Sequence, residues 1–309
     1  MGNLKSLVGQ TAIYGLSSVV GRMLNYLMVP LYTYLLPTES YGIFTELYSY
    51  VALLLALLIY GMETTFFRFS ETEKDSKEVV STSIISLLST TLLFFAIAWG
   101  FNTQMTNALG YQAHPHYVQW FIFIISFDVL SAVPFALLRQ QNKAIRFVSI
   151  KLINIVINLG LNLFFILLCP YILSQGEGYP LYNFVTWFFD GQDLVQYVFI
   201  SNLIASLITL LLLLPAFKHI KYGFNKNIWR KMMPYTLPIL VVNVAGLVPI
   251  SLDKIMLPDL LPGTSTYGMQ QLGIYGANAK IAVIMTLFIQ TFRYAADPFF
   301  FAKAKEQNA

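Results

Sequence analysis

Val51-Ala52-Leu53-Leu54-Leu55-Ala56-Leu57-Leu58-Ile59-Tyr60 is an unbroken apolar run, and Leu210–Leu214 is another. A bilayer core offers no hydrogen-bond partners, so only helices or strands of a closed barrel can cross it. Barrel strands alternate apolar with polar residues over about 10 positions. These runs do not alternate, and they sit within longer apolar stretches. Such stretches cover approximately residues 8–36, 41–67, 79–101, 116–138, 147–170, 196–217, 232–257 and 273–301. Each reaches the roughly 20 residues a helix needs to span about 30 Å of hydrocarbon. The expected fold is all-α, a polytopic membrane protein with eight transmembrane helices.

Composition agrees. The chain is 57% hydrophobic and 11% charged, with a mean hydropathy of +0.63. An ordinary soluble domain carries about 25% charged residues. The basic residues in the connections fall on one side only: Lys5; Arg68, Lys74, Lys77; Arg139, Lys143, Arg146; Lys218, Lys221, Lys226, Arg230, Lys231; Lys303 and Lys305. The alternate connections hold none. By the positive-inside rule both ends are expected in the cytoplasm. Topology thus accounts for the basic loops, and nucleic-acid binding is not expected despite the +4 net charge. The first stretch is too long for a signal-peptide core and has no cleavage pattern, so it reads as a retained span. Cys169 has no possible intramolecular partner and reads as a packed small hydrophobe.

Five of the 19 Lys and Arg residues remain inside the spans: Arg22, Lys151, Lys254, Lys280 and Arg293. Cations at that depth are costly unless they face protein or water. At 100° per residue, Tyr14, Ser18, Arg22 and Asn25 share about 80° of the first span. Lys151, Asn154, Asn158 and Asn162 share about 60° of the fifth, and Gln290, Arg293 and Asp297 share a face of the eighth. Three such stripes predict a hydrated cleft lined by cations and amide donors. The alternative for the Asn residues is interhelical hydrogen bonding worth about 1 kcal/mol each. The acids within spans are Glu46, Glu63, Asp128, Asp253 and Asp297. Asp128, the most central and without a basic partner on its own helix, is the leading ion-coupling candidate, and Asp253 is a second. Asp253 and the adjacent Lys254 point about 100° apart and are expected to serve different neighbours. Pro30, Pro234, Pro238 and Pro249 would bend their helices.

Catalytic signatures are absent, so an enzyme is not expected, and no cofactor is implied. His114 and His116 are close in sequence, but without a nearby Cys or acid they make a poor metal site, and no metal is expected. No phosphate-cradling glycine loop occurs. A weak internal repeat appears at a shift of 234 residues: Tyr41-Gly42 lies over Tyr275-Gly276, Tyr60 over Tyr294, and Phe66-Phe67 over Phe300-Phe301. With the basic loop 218–231, it suggests a six-helix lobe over 1–217, a cytoplasmic linker over 218–231, and the start of a second lobe over 232–309.

The runs Asp253-Lys254-Ile255-Met256-Leu257, Leu272-Gly273-Ile274-Tyr275-Gly276-Ala277-Asn278-Ala279-Lys280-Ile281-Ala282 and Pro298-Phe299 resemble the second-lobe opening of bacterial polysaccharide flippases. Pro30–Arg68, with Tyr41-Gly42 and Phe66-Phe67-Arg68, is similar to that family's N-terminal opening. These are the O-antigen and capsule repeat-unit translocases of the multidrug/oligosaccharidyl-lipid/polysaccharide (MATE-like) superfamily. The resemblance implies two lobes of twelve to fourteen helices in all, so this chain is expected to be a truncated or partial member. It also implies an undecaprenyl-diphosphate-linked oligosaccharide carried from the cytoplasmic to the periplasmic leaflet of a bacterial inner membrane. Arg22, Lys151, Lys280 and Arg293 would face the diphosphate; Tyr14, Asn25, Asn154 and Asn158 would face sugar hydroxyls. Membrane lipids, H+ or Na+, and other polysaccharide-assembly proteins are the further expected partners. The rivals are a cation-coupled multidrug antiporter of the same superfamily, a membrane-embedded polymerase or ligase, and a non-transporting scaffold.

Overall fold

The computed structural model of the chain describes residues 23, 26, 28–73, 75–282 and 285. Among them every regular element is helical and no strand occurs. Residues 28–35 form a helical segment that ends before Pro37. The elements that follow are α1 (Thr38–Ile59), α2 (Met62–Thr72), α3 (Ser76–Gly100), α4 (Asn102–Ala108) and α5 (His116–Gln140). Then come α6 (Ala144–Leu163), α7 (Cys169–Ser174), α8 (Tyr182–Phe188), α9 (Leu194–Leu213) and α10 (Lys226–Leu260). Residues 265–282 are again helical.

Among the described residues, six helical segments are long and apolar enough to cross a membrane: Thr38–Thr72, Ser76–Gly100, His116–Gln140, Ala144–Ser174, Leu194–Tyr222 and Lys226–Leu260. They coincide with the second to seventh expected stretches. The first and eighth stretches lie largely outside the described residues.

The second span is broken. Tyr60 and Gly61 both take positive φ, 39° and 75°, which ends α1 and starts α2 at an angle. Gly61 is needed there twice over, because a Cβ would also meet the Ile239 side chain of α10 at 2.5 Å. The Tyr60 hydroxyl hydrogen-bonds Ser86 of α3 at 2.8 Å and fixes the break.

In the fifth span the helix widens to a π turn at Phe164–Leu168. Pro170 just beyond has no N–H to return to the preceding turn, a recognised cause of such local rearrangement. Buried Cys169 sits at that junction.

The expected linker 218–231 is mostly helical. Leu214–Tyr222 is a 3-10 helix, α10 begins at Lys226, and the Asn225 side chain accepts from the Asn227 and Ile228 amides as its N-cap. The connection is clamped onto α3: Ser81 donates to the carbonyl of Gly223 at 2.7 Å, and Asn225 donates to Glu78 at 2.6 Å.

Helix α5 is the most buried of the six spans, and its Tyr117 and Phe121 pack edge to face against Phe199 of α9. Lipid tails are as apolar as leucine, so burial of apolar surface cannot by itself join these helices. Close packing and hydroxyl bonds do so instead. Thr65 of α2 bonds Thr236 of α10 at 2.8 Å, with both residues fully buried. Where α1 meets residues 265–282, Gly42 and Gly273 bring backbone against backbone: a Cβ on Gly42 would lie 2.0 Å from the Met269 carbonyl oxygen.

Candidate functional site

Three chambers with shared walls run through the bundle. The first, about 310 Å³, lies among residues 28–32, α1, α6, α9 and Lys280; Tyr41, Tyr48, Asn154, Asn158 and Asn202 supply its polar lining. The second, about 300 Å³, is lined by Glu63, Asp128, Lys151, Ser206 and Thr209, and shares Asn154 and Asn202 with the first. The third, about 330 Å³, holds Lys254, Lys280, Thr45, Ser49 and Ser251, and shares Phe44, Tyr48 and Lys280 with the first.

The amide stripe of α6 meets a polar stripe of α9. Asn154 donates to Thr209 at 2.9 Å, and Asn158 donates to Asn202 at 3.4 Å. Asn202 in turn donates to the Tyr48 hydroxyl of α1 at 2.6 Å. Asn162 turns back on its own helix, donating to the Asn158 carbonyl at 2.7 Å. Asn154 and Asn158 thus bond across to α9 and also line chambers, Asn154 the first two and Asn158 the first. The Tyr41 hydroxyl, on the wall of the first chamber, is buried and has no partner among the described residues.

The second chamber balances its charges. Glu63 and Arg139 pair at 2.7 Å. The Lys151 ammonium stands 4.3 Å from the Phe135 ring centre, a cation–π contact. Asp128, at mid-helix in α5, interacts with the Ser206 hydroxyl and the Lys151 charge. No contact ion pair joins Asp128 to Lys151. The contact pairs among the described residues are His114–Asp193, Glu63–Arg139, Glu73–Lys231 and Asp253–Lys254.

The sequence expectations are met unevenly. Lys151 and Lys280 line different chambers, so no single cluster of cations includes both. Arg22, Arg293, Tyr14 and Asn25 lie outside the described residues. Asn154, Asn158 and Asp128 line the cleft. Asp253 lines none of the three chambers. It was expected to serve a different neighbour from Lys254, but the two pair at 3.3 Å. The flexible lysine stem folds back along α10, where its ammonium also donates to the Ile250 carbonyl. The other carboxylate oxygen of Asp253 accepts from Tyr275, joining α10 to residues 265–282.

Other lining groups were not singled out from sequence. Asn202, Ser206 and Thr209 recur at i, i+4 and i+7 on the sixth span, a polar face that periodicity could have shown. Tyr48 carried no comparable local signal, whereas Lys254 was already among the five cations inside the spans.

On the face away from the basic connections, the acid thought missing near the histidines is present. Asp193 at the start of α9 lies 3.6 Å from His114 Nδ1. Nearby, buried Tyr111 donates to Glu46 of α1. Burial and the Glu46 carboxylate push its phenol above the ordinary range.

No curated protein and no solved structure matches the chain significantly. A family profile does: the one described as polysaccharide biosynthesis protein matches residues 7–302. That match covers nearly the whole chain, and the helices it covers have the length and apolarity of membrane spans. The chain is a membrane protein that belongs to the polysaccharide biosynthesis protein family.

Proposed function

We propose that this chain acts as a lipid-linked oligosaccharide flippase, carrying undecaprenyl-diphosphate-linked repeat units from the cytoplasmic to the periplasmic leaflet by alternating access. It would sit in a bacterial inner membrane with its basic connections and both ends in the cytoplasm. The reading assigns it transport and no catalytic residue. The observation that carries it is a set of three chambers inside an apolar helical bundle that share lining residues, Asn154 and Asn202 between the first and second and Tyr48 and Lys280 between the first and third. Lys254 and Lys280, with the hydroxyls of Thr45, Ser49 and Ser251, suit phosphate oxygens, which favour charge-assisted bonds. Arg22, Lys151 and Arg293 belong to the same proposed path. Asn154, Asn158 and Tyr41 suit sugar hydroxyls.

The test is surface polysaccharide in cells whose only copy carries Lys151→Ala, Lys280→Ala or Arg22→Ala. Each substitution is expected to abolish export while the protein remains in the membrane at normal levels. Full export by both Lys151→Ala and Arg22→Ala would end the anionic-path reading.

A second reading rests on the second chamber, where Asp128 and Lys151 face a shared space without contact pairing. That arrangement suits a site loaded by H+ or Na+, and so also a cation-coupled multidrug antiporter. Drug susceptibility that changes with Asp128→Asn while surface polysaccharide stays constant would favour it. A change in polysaccharide chain length alone would instead point to a membrane-embedded polymerase.

A further inference from the structure

His114 and His116 flank Pro115, which forms the N-cap of α5. Their rings are held by an aromatic wall. His114 stacks on Tyr117 with centroids 5.0 Å apart and planes 9° apart, and His116 packs on Trp120 at 4.6 Å. Folding brings Asp193 to them from the other side of a long connection. One Asp193 oxygen caps α9 by accepting from the Val195 amide at 3.1 Å. The other accepts from the Tyr117 hydroxyl and faces His114 Nδ1. One ring nitrogen from each histidine and one carboxylate oxygen then lie within 4.8 Å of one another.

We propose that His114, His116 and Asp193 bind one first-row transition-metal ion of the zinc type, on the face opposite the basic connections. Two imidazoles and a carboxylate form a three-ligand set with a fourth position left for water, a common arrangement for zinc. Tetrahedral zinc with bonds near 2.0–2.1 Å sets its ligand atoms about 3.4 Å apart, so the observed cluster needs only a small closure. Nitrogen ligands favour zinc, copper or nickel over magnesium and calcium, which take oxygen. Tyr117, donating to the ligating carboxylate, is the outer partner that orients it. Two observations separate this site from a plain His–Asp pair. Nε2 of His116 is buried without a hydrogen-bond partner among the described residues. The His114 and Asp193 side chains remain 42% and 22% exposed, which leaves an ion a way in from solution. A bound ion would tie the start of α5, the helix of Asp128, to the start of α9, the helix of Asn202. Metal occupancy would thereby hold one end of two cleft walls together.

The experiment uses the full chain in nanodiscs, stripped with chelator and freed of any histidine tag, titrated with zinc chloride by calorimetry. One zinc per chain is expected, with visible d–d bands of tetrahedral geometry when cobalt replaces zinc, and no competition from magnesium. His114→Phe and His116→Phe keep the ring packing, and Asp193→Asn keeps a helix-capping side chain. Each should weaken binding by at least about tenfold, and Tyr117→Phe by about tenfold through the carboxylate it orients. Thermal unfolding of each metal-free variant, matched to the metal-free parent, establishes that the fold survives. Absence of zinc binding by the parent chain, or equal binding by the parent and all four variants, would overturn the proposal.

Discussion

Replacing Gly273 by alanine probes the contact on which the third chamber depends. Neither Gly273 nor Gly42 has positive φ, so alanine meets no backbone strain at either position. In an isolated helix the change would be favourable by about 0.8–1.0 kcal/mol. Here the new methyl carbon would lie 1.9 Å from the Thr38 carbonyl oxygen and 3.1 Å from the Gly42 nitrogen. Ordinary contact begins near 3.4 Å, so the two helices must part by about 1.5 Å at this point. Both obstructing atoms are backbone, and no side-chain rotation can relieve them. Overpacking costs about 1–3 kcal/mol, and a rigid backbone contact belongs at the upper end of that range. The net expectation is a destabilisation of about 1–2 kcal/mol, a factor of roughly 5 to 30 in the unfolding equilibrium. Gly160→Ala in α6 is the control, because nothing lies within 4 Å of its added carbon; it should be neutral or stabilising. Unfolding in mixed detergent micelles reads both. Gly42→Ala should resemble Gly273→Ala, and the double variant should cost less than the sum, since one separation relieves both clashes. If Gly273→Ala unfolds like Gly160→Ala, the close approach of α1 to residues 265–282 is refuted.

Two further substitutions test the polar bonds between helices. Thr236→Val removes the buried bond to Thr65 and leaves that hydroxyl its own helix carbonyl, Gly61, as acceptor; a loss of about 0.6–1.7 kcal/mol is expected in the same unfolding assay, and no loss would show the bond adds nothing. Asn202→Leu removes the bonds to both Tyr48 and Asn158, and should cost about 1–3 kcal/mol and cut surface polysaccharide. Asn202→Gln, which keeps an amide donor for Tyr48 and an acceptor for Asn158, should recover part of the stability; if it does not, the bonding of Asn202 to α1 and α6 is not what matters there.

The apolar spans were legible because the requirement behind them is local. A chain segment in hydrocarbon must satisfy its own backbone, so an unbroken run such as Val51–Tyr60 leaves helix as the only outcome. The same periodicity identified the Asn154–Asn158 face. It did not identify the break at Tyr60–Gly61, whose glycine answers to Ile239 on a helix far along the chain. Sequence separation likewise hid Asp193 from the histidines.

The sequence by itself determined an all-helical membrane protein, the one-sided basic connections and the cations those connections do not explain. Each follows from a solvent requirement that every residue meets individually. Only the tertiary structure decided which polar face meets which: Asn202 between Asn158 and Tyr48, Lys280 apart from Lys151, Asp253 bound to Lys254 and Tyr275. Helical periodicity states which way a side chain points on its own helix. What it reaches depends on how closely two helices pack, and here glycines and hydroxyls more than 170 residues apart, such as Thr65 and Thr236, set that distance.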